Sequence, residues 1–492
     1  MDFLQKQVLG PLSTILSTHI LICVLIGAGI YFTLRTRFVQ IRYFGRMLRQ
    51  LRRSRRHAGG ISSFEAFCVG LASRVGVGNI AGVAVALTLG GPGAVFWMWV
   101  VAAVGMATAL IEATLAQIFK VRSNDGAFRG GPAFYIQRGL GSRAGGIVFA
   151  ILVVFTFGIA FTMVEANAIS DVVQTSHAVT PGWTALGLAV FAAPVLFGGI
   201  RRVATVAGCV LPVVASGYVL LALVIMAVNI ARLPTVIAQI VGGAFGITQI
   251  AGGVGGGVAA AMLNGVKRGL FASEAGMGSS PHIAATATVS HPVEQGLIQS
   301  LAVFVDTMLV CTATAVIVMV SGPDVYDPAR PAPIAGASLT QTAIAAGLGS
   351  WTTDVMTIVV FVFAFSAVLS NYVCAEANLF FLGAGHRGVA VLKVVTLVAI
   401  AVGAMGKLGL VWSLADAGMA LVAVVNLIAI CLLGKWAFAA VRDFHRQSVA
   451  GREPVFNIAE LPGVLDGDVW QFPGRRPLRR DVVTSAPATA GT

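Results

Sequence analysis

Charged side chains are scarce in this chain. Asp, Glu, Lys and Arg make up 11% of its 492 residues and 57% are hydrophobic, whereas soluble domains carry about 25% charge. Water is therefore excluded as its main solvent. Acidic residues are the scarcer sign, 20 against 33 Lys and Arg, for a net charge of +13. In a soluble protein that excess would raise nucleic acid as a partner, but the basic residues collect in short stretches between apolar runs, which argues against it. Paired cysteines are missing as well. Cys23, Cys68, Cys209, Cys311, Cys374 and Cys431 fall in or beside apolar segments without disulfide or metal-ligand spacing, and read as small core residues. The first ten residues, MDFLQKQVLG, lack the positive flank and small-residue cleavage site of a secretory signal, so the first apolar run is expected to be retained. No HExxH, GxSxG or P-loop pattern occurs, which leaves an intramembrane enzyme without support. Gly76, Gly78 and Ala81 formally fit a dinucleotide GxGxxA, yet no strand precedes them.

What the chain does have is a series of apolar runs of about 20 residues, the length that crosses about 30 Å of hydrocarbon. The runs are continuous and rich in Ala, Gly and Leu, so they are expected as helices, not as alternating barrel strands. Eleven spans are predicted, at 12–34, 63–89, 93–118, 146–171, 181–199, 205–230, 236–263, 295–320, 353–383, 388–405 and 409–436. The stretch from Arg35 to Arg56 holds nine arginines, and the 119–145 loop adds Lys120, Arg122, Arg129, Arg138 and Arg143. The positive-inside rule puts both in the cytoplasm, with the N-terminus outside and the C-terminus inside an inner membrane. Threading the spans from there also places Arg201, Arg202, Lys267, Arg268 and Arg387 on the cytoplasmic side.

The chain is thereby divided into an N-terminal helix with a basic loop (1–62), two five-helix sets (63–232 and 233–445) and a polar tail (446–492). The tail, with Pro454, Pro462, Pro473, Pro477 and Pro487, is expected to be disordered. The 321–351 segment contains Pro323, Pro328, Pro331 and Pro333 and is expected to cap the outer face, ordered or in part helical.

Two glycine clusters stand out, Gly76-Val77-Gly78-Asn79-Ile80-Ala81-Gly82 and Gly252-Gly253-Val254-Gly255-Gly256-Gly257. Each falls in the first helix of a five-helix set. Because five is odd, the second set is inverted relative to the first, the arrangement of carriers with two broken helices at the midplane. An unwound stretch frees backbone N–H groups for a carboxylate and carbonyls for a cation, where a Cβ would obstruct approach. Helix packing is the competing reading, since Gly78 to Gly82 and Gly252 to Gly256 both fit GxxxG. The matched pair favours breaks, and a binding site between Gly76, Val77, Gly78 and Asn79 on one side and Gly252 and Gly253 on the other.

Polar residues inside spans sharpen this picture. Glu165 is costly to bury, about 2.5 kcal/mol or more at a helix centre, so it is expected to face the interior or a wet cavity. Arg74 is read as neutralising a buried acid such as Asp306 or capping unwound carbonyls. Asn79 satisfies freed backbone or ligates a cation, two readings left open. Glu112, Glu376 and Asp416 lie nearer span ends, where exposure is the default, and His177, His282 and His291 read as surface or interface residues.

Three stretches resemble the alanine or glycine:cation symporters of bacteria and archaea. They are Ala72-Ser73-Arg74-Val75-Gly76 to Gly82, Gly90-Gly91-Pro92-Gly93-Ala94-Val95-Phe96-Trp97-Met98-Trp99, and Asn264 to Phe271 continuing through Glu274-Ala275-Gly276-Met277-Gly278-Ser279 to His291-Pro292-Val293 and Phe304-Val305-Asp306-Thr307. The resemblance implies a leucine-transporter-type five-plus-five fold with one extra N-terminal helix, all-α and polytopic. It also implies sodium-coupled uptake of alanine or glycine by a monomer in a lipid bilayer, with no organic cofactor and a proton as the alternative coupling ion. Carried over, the backbone of Gly76, Val77 and Gly78 meets the substrate carboxylate, the carbonyls of Ala72 and Val75 with Ser366 hold sodium, and Glu165 and Asn371 border the substrate. The family usually has Thr, Gln, Trp and Thr where this chain has Val77, Glu165, Asn371 and Ala367. Those changes point to a substrate larger or more polar than alanine.

Overall fold

The computed structural model describes residues 20–52, 63–122, 128–198, 200–246, 257–328 and 335–461, together with Leu16 and residues 469–470. It is almost entirely helical. In chain order the main helices are α1 Ile22–Arg35, α2 Ser63–Arg74, α3 Ala81–Gly90, α4 Gly93–Ile118, α5 Pro132–Leu140, α6 Arg143–His177, α7 Pro181–Phe197 and α8 Ile200–Val228. They continue as α9 Leu233–Ala244, α10 Gly257–Ser273, α11 Ser280–Thr286, α12 Pro292–Val320, α13 Ala337–Leu348, α14 Thr352–Phe381, α15 His386–Met405 and α16 Leu408–Val449. A two-stranded antiparallel ribbon pairs Val121–Arg122 with Phe128–Arg129.

Six helices, α4, α6, α12, α14, α15 and α16, are long and apolar enough to cross a membrane. The chain is a multi-pass membrane protein. α1, α7 and the stretch ending in α3 are shorter apolar helices. Exposed large apolar side chains such as Val190, Phe191, Val391, Val398 and Leu432 lie on α7, α15 and α16, as expected of surfaces that face hydrocarbon. α6 and α12 each contain a π-helical segment, Thr156–Phe161 and Phe304–Cys311. Such segments interrupt the regular hydrogen-bond ladder and often mark functional sites.

The predicted span 236–263 does not form as one helix. The chain bends by 76° between the end of α8 and α9, α9 stops at Ala244, and a new helix starts at Gly257. The end of α9 lies against the start of α4, where a Cβ on Gly93 would collide with the Gly243 carbonyl carbon. α10 starts beside the same corner, with Gly90 against Ala260 and Asn264, and ends at Ser273 beside Arg74. α11 then reaches the opposite end of α4, where Gln117 and Lys120 donate to the Ala287 carbonyl, both at 3.0 Å. The transverse element is therefore α10 plus α11. Lys267 and Arg268 are consequently not loop residues, as the threading had them, but buried within it.

Three further expectations are corrected. Glu112 and Asp416 are buried, not exposed, and so are His282 and His291. The start of the polar tail is packed, not disordered: Phe456 and Leu461 are buried, and the Phe456 N–H donates to the Ser290 carbonyl at 2.9 Å. Trp470 donates its indole N–H to the Gln117 carbonyl at 2.8 Å and packs near Ala66, Ala287 and Val289. Tail residues 462–468 and 471–492 lie outside the described residues. Of the 321–351 segment, residues 321–328 and 335–351 are described, and the segment is in part helical. Its helix α13 donates from Thr340 to the Ile80 carbonyl at 3.3 Å, and Tyr326 reaches the Leu87 carbonyl at 3.1 Å.

Candidate functional site

The first glycine cluster breaks its helix. α2 ends at Arg74, a short 3-10 turn covers Val77–Asn79, and α3 begins at Ala81. Val75 to Ala81 are buried, so the freed backbone groups need partners, since an orphaned buried amide costs about 1–3 kcal/mol. Asn79 supplies one, its Oδ1 accepting the Gly76 N–H at 3.1 Å. Its Nδ2 donates to the Asp306 carboxylate at 2.6 Å and to the Asp306 carbonyl at 3.2 Å, within the π-helical segment of α12. Thr307 donates to the second Asp306 oxygen at 2.9 Å. Of the two readings for Asn79, satisfaction of freed backbone is the one the geometry displays.

Glu165 lies on α6, buried, and accepts the Val77 N–H at 3.3 Å. A Cβ on Gly76 would come 3.1 Å from the Ala367 methyl, with the two Glu165 oxygens at 3.7 and 3.8 Å. Ala367 is on α14, so Ser366 is its neighbour, and Asn371 follows one turn later on the Ala367 side. The Ser366 hydroxyl and the Asn371 amide nitrogen are buried, and neither has a hydrogen-bond partner among the described residues. Unpaired buried polar atoms are uncommon in folded chains. Both lie on α14 within about one turn of Ala367, the residue that faces Gly76.

Gly252 and Gly253 lie outside the described residues. A second break does occur, further along, at 274–279 between α10 and α11. Glu274, Gly276 and Gly278 all have positive φ there, 52°, 92° and 83°, a conformation glycine adopts readily and other residues rarely. The Glu274-Ala275-Gly276-Met277-Gly278-Ser279 run carried that signal in its glycine spacing, but the denser cluster at 252–257 drew the assignment upstream. Glu274 accepts from Ser279 at 2.5 Å. Glu112 of α4 accepts the Gly276 N–H at 3.2 Å and the Asn426 amide at 3.0 Å.

The two breaks touch. Arg74 donates from Nε to the Ser273 carbonyl at 2.9 Å and from a terminal nitrogen to Gln299 at 3.0 Å. It caps an unwound carbonyl, as one of its two readings anticipated, and does not bond Asp306. Phe271 covers Gly78, where a Cβ would be 2.9 Å from the ring and 3.2 Å from the Ala272 Cα. Phe271 in turn packs between Phe161 and Trp412 with its ring tilted to both, at centroid distances of 4.5 and 4.9 Å. Arg268 lies over the Trp412 ring at 4.2 Å and pairs with Asp416, which Lys267 also approaches at 3.5 Å. This aromatic and ionic cover was not anticipated, because its partners come from helices about 150 residues apart.

Together the breaks present backbone dipoles and a carboxylate docked on each, with two buried, unpaired polar side chains on the neighbouring α14, an arrangement suited to holding a small ionic solute. Among the described residues no cluster of His, Cys, Asp and Glu could hold a metal ion by side chains alone. Comparison with known proteins points the same way. The chain is 42% identical over 458 residues to the probable sodium/glutamine symporter GlnT of Bacillus subtilis, covering 93% of this chain and 94% of that one. It is 43% identical over 448 residues to the amino-acid carrier protein AlsT of the same organism, covering 91% and 94%. With the sodium/alanine symporter AgcS of Methanococcus maripaludis the identity is 35% over 437 residues, covering 86% and 94%. Residues 1–458 match the sodium:alanine symporter family, and the chain, a transporter and not an enzyme, belongs to it.

Proposed function

We propose that the protein is a sodium-coupled symporter that brings a small neutral amino acid into the cell, binding it between the 75–80 and 274–279 breaks. The observation that carries this reading is the pair of broken helices joined through Arg74, the first of them facing α14, the helix that bears the buried, unpartnered polar atoms of Ser366 and Asn371. In this reading the carbonyls of Ala72 and Val75 and the Ser366 hydroxyl hold sodium, a hard cation served by oxygen ligands. The substrate meets the backbone at Gly76 to Gly78, with Asn371 and Glu165 beside it. An amide at Asn371 suits a side chain more polar than alanine's. The name of GlnT makes glutamine the first such substrate to try, and that of AgcS makes alanine the second.

We read α2 to α8 and α10 to α16 as two inverted five-span sets, the broken pairs α2–α3 and α10–α11 opening each, with α1 in addition and α9 on the outer face. The Lys120 end then faces the cytoplasm of a bacterial inner membrane. A proton is the alternative coupling ion, favoured by four buried acids, Glu112, Glu165, Glu274 and Asp306, with one arginine, Arg74, among them. Purified protein in liposomes decides between them. Uptake of labelled L-glutamine or L-alanine driven by an inward sodium gradient supports the proposal. Uptake driven only by a proton gradient replaces sodium, and no uptake of either amino acid under any gradient refutes the substrate class.

A further inference from the structure

Two backbone donors of the first break, at Gly76 and Val77, are satisfied in different ways. The Gly76 N–H is held by Asn79 of the same turn, itself pinned by Asp306. The Val77 N–H is held by Glu165, which comes from another helix 88 residues along the chain. That is the one hydrogen bond Glu165 makes among the described residues. A carboxylate resting on a free N–H at an interrupted helix is the contact that an amino acid's α-carboxylate would make there. The slot is narrow, since Gly76 has no Cβ and Ala367 closes its far side.

We propose that Glu165 is an internal stand-in for the substrate carboxylate, occupying the Val77 N–H in the substrate-free protein and displaced from it when substrate arrives. This rests on the amino-acid reading above. Only one carboxylate fits the single N–H, so the exchange is competitive. The displaced side chain then faces the substrate's α-ammonium and pairs with it, while the substrate's own carboxylate takes its place on the N–H. A ligand with a carboxylate alone would leave Glu165 displaced and unpaired, and an amine alone would leave the N–H with Glu165. The exchange therefore selects for zwitterions.

The test is hydrogen exchange at the Val77 amide of the full-length protein in sodium, compared among wild type, Glu165→Ala and Glu165→Gln. Without ligand, Glu165→Ala is expected to exchange about tenfold faster than wild type, while Glu165→Gln, whose amide oxygen still accepts, stays protected. Thermal melting of both variants separates this from a general loosening of the fold. Saturating L-alanine or L-glutamine should restore protection in Glu165→Ala, and alaninol, which lacks the carboxylate, should not. Unchanged exchange in Glu165→Ala, equal loss in both variants, restoration by alaninol, or no restoration by either amino acid overturns the proposal. The ligand-free comparison is independent of transport, so a wild type that carries neither amino acid would refute the proposed function while leaving the docked carboxylate to be judged on its own.

Discussion

At the scale of single residues, Gly78 shows how little room the first break leaves. A methyl group there would already press on Phe271 and the Ala272 backbone. Gly78→Leu is expected to abolish uptake, with membrane insertion nearly normal because the insertion signal lies in the flanking apolar helices. Uptake in liposomes together with quantified membrane protein checks this, and near-normal transport by well-inserted protein would refute a site at this break. Which residues were legible follows from where their partners lie. Asn79 could be read from sequence because a break needs capping and the Gly76 N–H it accepts lies three residues away; Arg74 could be read only as a choice between an acid and a carbonyl, because the carbonyl it caps, that of Ser273, lies 199 positions away. Glu112 could not, since the groups that satisfy it come from Gly276 and from Asn426, 164 and 314 positions away. Asp416 was misread for the same reason, its partners being Lys267 and Arg268 on another helix.

At the scale of elements, apolar length located the six long apolar helices and not how the shorter ones connect. The run 236–263 looked like one span because α9 and the start of α10 are both apolar, and hydropathy does not register a 76° bend. The break at 274–279 was harder to see because only two glycines mark it, and the turn also relies on Glu274 in a left-handed conformation. The end of α4 is a third instance. Lys120 follows that helix, donates to the Ala287 carbonyl at 3.0 Å, and lies under Phe128 and Trp470 at 4.3 and 5.0 Å. Burial, aided by repulsion from Arg122, lowers its ammonium from 10.5 to about 7. The folded protein thus binds fewer protons than the unfolded chain between about pH 7 and 10.5, and its stability should rise with pH through that window. Replacing the lysine by an uncharged side chain of similar length, Lys120→Met, should flatten the rise in melting temperature between about pH 7 and pH 9. A slope unchanged by the substitution would mean that Lys120 stays charged in the fold.

At the scale of the whole molecule, the orientation in the membrane is the next quantity to measure. In a background lacking the six native cysteines, Arg122→Cys should react only with reagents admitted to the cytoplasm, and Ser350→Cys, exposed beyond α13, only from outside. The reverse pattern would invert the topology. The contact between the two breaks also bears on how the molecule idles. Arg74 ends α2, yet its guanidinium is bonded to α10 and α12, so the lower half of the first interrupted helix is pinned to two neighbours by one side chain. Hydrogen bonds from a charged donor contribute about 1.5–3 kcal/mol each, so swinging that half-helix away costs about 3–6 kcal/mol before any apolar contact is counted. At thermal equilibrium such an excursion is populated less than about one time in a hundred. In the proposed carrier this one side chain would keep the end of α2 beside α10 and α12 for most of the time.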